Sequence, residues 1–165
     1  MIFKQLHYLV CAIIVLSGCA SISQEKPTLT DGFNPEASQV RKANWNYLVG
    51  SWYGSQKTQA GGEYSWLIRR TRQGLYRLEG KITKPSGEVQ NQIEVGEWGA
   101  GSTIFFTVFK GWVEGDKVVP SNPSDPYNRD IYKIIKLTES EFQFQHLDNG
   151  ESFVVRKVAD DYQMP

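Results

Sequence analysis

The chain has 165 residues, 40% of them hydrophobic and 13% aromatic, a composition that supports a folded globular domain and argues against a disordered one. Lys and Arg total 18 and so do Asp and Glu, so no global field draws the chain to nucleic acid, which is not an expected partner. Both cysteines, Cys11 and Cys19, fall close to the start, which leaves no disulfide framework to read.

Residues 1–18 read as a secretory leader. Lys4 supplies a positive start, Tyr8 to Leu16 is an unbroken apolar run, and the small residues Ser17 and Gly18 follow. The run is far short of the roughly 20 residues that a membrane-spanning helix needs. An ordinary signal peptide cut near Gly18 or Ala20, or a buried helix, would share these features. The stretch Leu16-Ser17-Gly18-Cys19 resembles the lipobox of bacterial lipoproteins. That resemblance implies cleavage before Cys19, a lipid on its sulfur, and a further acyl group of the palmitate kind on the new amino terminus. Two or more chains anchor stably where one does not. Ala20, in place of Asp, implies sorting to the outer membrane of the cell envelope.

Residues 19–33 are polar, contain Pro27 and lack periodicity, and are expected to be a lipidated tether. Asn34-Pro35-Glu36 combines an N-cap, a proline for the first helical position and an acid for the first turn. A short helix over about 35–46 is expected, with Val40, Ala43, Asn44 and Tyr47 on one weakly marked face.

From Leu48 onward the chain alternates, and turn signals recur at roughly ten-residue intervals. Strands are expected at about 48–58, 63–72, 75–83, 88–98, 103–114, 130–138, 140–147 and 151–159. Mostly short connections suit an all-β fold: an eight-stranded antiparallel up-and-down barrel over 34–165, with an open sandwich as the alternative. In the second hairpin, a two-residue Gln73-Gly74 turn would set Arg70 against Arg77 and Trp66 against Lys81. A three-residue Arg72-Gln73-Gly74 loop with Gly74 left-handed puts Tyr64, Trp66, Ile68 and Arg70 on the face of Tyr76, Leu78, Gly80 and Ile82. That register is expected, and it turns Arg70 inward. In the last hairpin, a three-residue Asp148-Asn149-Gly150 loop would align Phe142, Phe144 and His146 with Val154, Arg156 and Val158. A two-residue Asn149-Gly150 turn would turn Phe153 and Val155 inward instead. The three-residue loop is expected, because it brings Arg156 to the end of the barrel where Trp52 lies.

Gly50-Ser51-Trp52 at the start of the first strand resembles the Gly-X-Trp opening of the lipocalins and their calycin relatives. The second and third lipocalin signatures are missing, so the resemblance is to a remoter, lipocalin-like family over about residues 45–158. It implies that the helix packs on the closed end of the barrel and that Arg156 lies across Trp52 there, both being structural closure residues. A stacked Arg–Trp pair contributes on the order of 0.5–2 kcal/mol. The long Gly115–Arg129 segment, with Pro120, Pro123 and Pro126, then lies at the other end as a lid, a binding loop or a plain surface excursion.

An interior Arg70 is costly unless it meets water, an acid or an anionic ligand. Fatty-acid-binding relatives hold a carboxylate with interior Arg and Tyr residues, so Arg70, Tyr76 and Tyr132 are candidate ligand-binding residues, with His146 near the mouth as a fourth. No metal or cofactor is expected. One histidine remains beyond the leader, and Asp125-Pro126-Tyr127-Asn128-Arg129-Asp130 lacks the Gly and distal Glu of a calcium loop. No nucleophile–base set points to an enzyme. Two functions remain. One is a barrel that binds a small hydrophobic or amphipathic ligand. The other is a filled barrel acting as a structural or protein-interaction lipoprotein, with Trp98, Trp112, Tyr53 and Tyr127 as its exposed partner face.

Overall fold

The computed structural model describes residues 34–165; the leader, Cys19 and the tether lie outside the described residues. Asn34 starts the helix as its residue type requires. Its Oδ1 accepts from the backbone N–H of Glu36 (2.9 Å) and of Ala37 (3.2 Å), and α1 runs over Pro35–Leu48 with proline in its first turn.

Nine strands follow: β1 (Gly50–Lys57), β2 (Glu63–Arg70), β3 (Leu75–Thr83), β4 (Val89–Ala100), β5 (Ile104–Glu114), β6 (Lys117–Pro120), β7 (Arg129–Leu137), β8 (Glu141–His146) and β9 (Ser152–Val158). All pairings are antiparallel, in the order β4-β3-β2-β1-β9-β8-β7-β5-β6, and a further β4–β5 pairing closes the ring. Eight of the strands therefore form a closed antiparallel up-and-down barrel, with the helix at its start. Each expected strand is present. The additional one, β6, falls inside the segment expected as a loop. β7 covers β5 only from Ile104 to Val108, so β5 has a free edge beyond it, and β6 takes that edge by pairing Trp112 with Val119. A short 3₁₀ turn at Pro126–Asn128, capped by Asp125, then leads into β7.

The second hairpin adopts the register that its hydrophobic pattern demands. Arg70 pairs with Tyr76, Ile68 with Leu78 and Trp66 with Gly80, and Gly74 takes the left-handed φ of 81° that the three-residue loop requires. The last hairpin does not follow expectation. His146 N–H donates to Glu151 O across a four-residue loop, so Phe142 pairs with Val155 and Phe144 with Phe153. An even loop has the parity of the two-residue turn, so Phe153 and Val155 face inward and Arg156 faces out.

This parity decides what closes the barrel. Trp52 is fully buried at the closed end, and its Nε1 donates to Leu48 O at 3.0 Å. The cation over its ring is Lys157, 4.8 Å from the centroid, and not Arg156. Arg156 instead lies outside, between the rings of Tyr53 and Tyr162. Lys157 Nζ also donates to Tyr47 O (2.8 Å) and Val49 O, holding the last turn of α1 on the barrel. The helix is fastened a second time by the buried Asn44, whose amide donates to Gly101 O (3.0 Å) and Ser102 O (3.1 Å) in the β4–β5 turn. Trp45 adds a stack on Trp98 at 4.2 Å.

The two neighbouring cations should therefore differ in a denaturant titration. Lys157→Met removes charge-assisted bonds to two carbonyls and should cost about 1–2 kcal/mol, whereas Arg156→Met, in solvent, should cost about 0.5 kcal/mol or less. The opposite ranking would restore the register in which Arg156 covers Trp52.

Candidate functional site

Above the closed end the barrel is hollow, with a cavity of about 240 Å³. It exists because several wall aromatics lie flat. Trp66 lies over Gly54, Tyr64 over Gly80 and Tyr76 over Gly96, so that any Cβ at these glycines would meet the ring. A larger residue at any of the three would lift the ring into the space. Tyr64 and Trp66 stack at 5.2 Å on one wall, and Phe105, Tyr132, Phe144 and Phe153 form the opposite one.

Arg70 projects into this cavity from the last position of β2. It is 4% exposed, and its Nε and Nη1 have no hydrogen-bond partner. Among the described residues no carboxylate lies within ion-pair distance of it. Its contacts are aromatic faces: the guanidinium carbon is 4.7 Å from the centroid of Phe105 and 5.8 Å from that of Phe142. Burial pushes its pKa down to about 9, with some support from Tyr132 and Tyr76, so it is still a cation at neutral pH. Burial, and after it the charge of Arg70, lowers the pKa of Lys157, which lies over Trp52 and does not line the cavity, so Arg70 is the one cation that lines it among the described residues.

Tyr76 and Tyr132, the other two interior candidates, reach the same cavity. The Tyr76 hydroxyl donates to Glu94 Oε1 at 3.0 Å. Burial raises the pKa of both tyrosines, and the nearby Glu94 for Tyr76 and Asp130 for Tyr132 add to it, so both hydroxyls keep their protons. Tyr132 packs face to face on Phe105 at 5.4 Å and edge-on to His146 at 5.1 Å.

His146 stands apart from this group. Its Nδ1 accepts the Asp148 backbone N–H at 3.1 Å, which places the ring proton on Nε2, 3.2 Å from Asp130 Oδ1. Both nitrogens are engaged, so the ring acts through Asp130 and offers no lone pair to a ligand.

Two site residues escaped the sequence reading. Glu94 and Asp130 both line the cavity. Burial raises the pKa of Glu94, the Tyr76 hydroxyl lowers it in part, and Asp130 raises it further. Strand parity was the available signal: Glu94 alternates inward with Gly96 and Trp98, and Asp130 with Tyr132. The same parity overturns Trp98 as a partner-face residue. It is 3% exposed, under Trp45, and its Nε1 donates to Thr71 O at 3.2 Å. Tyr53 is half-buried and lies beside Tyr162, while Trp112 and Tyr127 are exposed. Of the Phe105–Phe106 pair, Phe105 is the inner residue and Phe106 lies outside on Gly99. Asp125, in the calcium-like stretch, accepts the Tyr127 N–H at 2.9 Å as a turn cap.

No protein-family model matches the chain, and no curated relative matches it. Among solved structures, the crystal structure of a lipocalin-like protein from Bacteroides uniformis is similar at 13% identity with a TM-score of 0.41, covering 68% of this chain and 99% of that one. The barrel assignment rests on the strand pairing itself and not on that likeness.

An unpaired interior charge costs several kcal/mol, and a contact with Phe105 offsets only part of that. Arg70→Met should therefore stabilise the empty protein by about 1–3 kcal/mol in chemical denaturation. A loss of stability would mean that Arg70 serves the fold.

Proposed function

We propose that the protein is a lipid-anchored component of the bacterial envelope, held at the outer membrane through Cys19, whose barrel binds a small amphipathic molecule with its anionic end at Arg70. The observation that carries the binding half is that Arg70, whose buried guanidinium has two partnerless nitrogens, lines a cavity of about 240 Å³. Burial without a partner is costly, and the cost is recovered when an anion supplies the missing acceptors. Trp66, Phe105, Phe144 and Phe153 offer apolar faces to the body of the same molecule. The volume lies below the roughly 300–1,000 Å³ of ordinary ligand pockets, which favours a compact ligand over a long acyl chain.

The anchoring half rests on Leu16-Ser17-Gly18-Cys19 at the end of the apolar run, and on Ala20 after it. The reading does not require a transmembrane segment. Among the described residues no helix is long and apolar enough to cross a membrane.

Mass spectrometry of the full-length protein, extracted in detergent from the outer membrane of its own cells, reads both halves. Denatured, the wild type should show a chain that starts at Cys19 and carries acyl groups, and Cys19→Ser should lack them. Under native conditions the wild type should carry a small non-covalent mass that Arg70→Met loses. A bare polypeptide in the native spectrum, or a bound mass unaffected by Arg70→Met, would contradict the binding half. An unacylated wild type would contradict the anchoring half.

A further inference from the structure

The interior is electrically divided, and this restricts the ligand beyond the reading just given, on which the inference rests. At the closed end is Arg70, paired with Gly50 at the start of β1 and lining the cavity. Farther along the cavity wall are two carboxylates, the half-buried Glu94 and Asp130, whose side chain is 42% exposed. Arg70 pairs with Tyr76 and lies over Phe105, the partner of Tyr132, while Glu94 is the next inward position beyond Gly96, the other partner of Tyr76, and Asp130 the next beyond Tyr132, so the two tyrosines stand between Arg70 and the acids.

The acids do not neutralise Arg70, since neither is within ion-pair distance of it. They are only partly satisfied by the protein. Glu94 accepts the Tyr76 hydroxyl on Oε1, and Asp130 pairs through Oδ1 with His146 Nε2. A carboxylate has about four acceptor positions, so each keeps capacity facing the cavity.

A simple fatty or aryl acid fits this arrangement poorly. With its carboxylate on Arg70, its apolar end would lie against Glu94 and the inner side of Asp130 and strip water there without replacing the lost hydrogen bonds. We infer that the barrel is built for an amphoteric ligand: an anionic group at Arg70, a flat apolar or aromatic body between the ring walls, and a protonated amine or equivalent hydrogen-bond donor at Glu94 and Asp130. Such a molecule satisfies both poles of the cavity at once.

Three para-substituted benzenes separate the possibilities by isothermal titration calorimetry on the full-length protein in detergent. They are 4-(aminomethyl)benzoate, with both groups; 4-ethylbenzoate, with the anion alone; and 4-methylbenzylamine, with the cation alone. Wild type should bind 4-(aminomethyl)benzoate about tenfold or more tighter than either of the others, the gain expected of an added hydrogen bond to a charged group. Glu94→Gln and Asp130→Asn should weaken that probe and leave 4-ethylbenzoate unchanged or improved, whereas Arg70→Met should weaken both acids. If 4-ethylbenzoate binds wild type as tightly as 4-(aminomethyl)benzoate, the amphoteric inference is overturned and the anion site at Arg70 stands. If 4-methylbenzylamine binds tightest, or Arg70→Met leaves both acids unaffected, the inference falls together with the Arg70 site. The wild-type ranking alone decides between the first two outcomes, whether or not a variant folds.

Discussion

An arginine in a place where the protein provides it no acceptor is the constraint from which the rest of the interior follows. Arg70 occupies an inward position because the hydrophobic pattern of β2 and β3 permits only one register, and that register turns Arg70 in with Tyr64, Trp66 and Ile68. Its guanidinium is then buried with Nε and Nη1 unpaired. Buried arginines in folded proteins are ordinarily neutralised by a nearby carboxylate. Here the two acids that line the cavity, Glu94 and Asp130, bond the Tyr76 hydroxyl and His146 and stay beyond ion-pair distance of Arg70.

The architecture maintains that tension. The closed end is held by three tertiary links: Lys157 to the carbonyls of the last helical turn, Asn44 to the β4–β5 turn, and the Trp45–Trp98 stack. With that end fixed, solvent reaches the interior from the other side only past the aromatic walls. Those walls leave room because their rings lie flat over Gly54, Gly80 and Gly96. Aromatic content alone would suggest a solid core. The pairing of Trp66, Tyr64 and Tyr76 with residues that have no side chain helps to leave a cavity.

Much of this was legible in the sequence, and the reasons for the exceptions are specific. Gly74 followed by an apolar alternation fixed the register of the second hairpin, and with it the inward placement of Arg70. The last hairpin was not decidable in the same way, because Asp148-Asn149-Gly150 suits loops of different length. The observed loop also includes Leu147, an apolar residue that reads as strand but is 52% exposed. One residue of parity then exchanged Arg156 for Lys157, two adjacent cations with opposite surroundings. Glu94 was missed for a different reason. Its strand reads Gln92-Ile93-Glu94-Val95-Gly96, where the apolar residues point outward and the polar ones inward, the reverse of the usual pattern. Only the pairing with β3 shows which face is the interior.

The central claim is that the Arg70 guanidinium is a binding group awaiting an anion. Its side-chain Nε–H resonance, followed by NMR in the full-length protein as 4-ethylbenzoate is added, tests this most directly. Capture of a carboxylate predicts a downfield shift of that proton and slower exchange with water, saturating together with binding. Binding that saturates while the Arg70 resonance stays unmoved would place the ligand elsewhere and contradict the account.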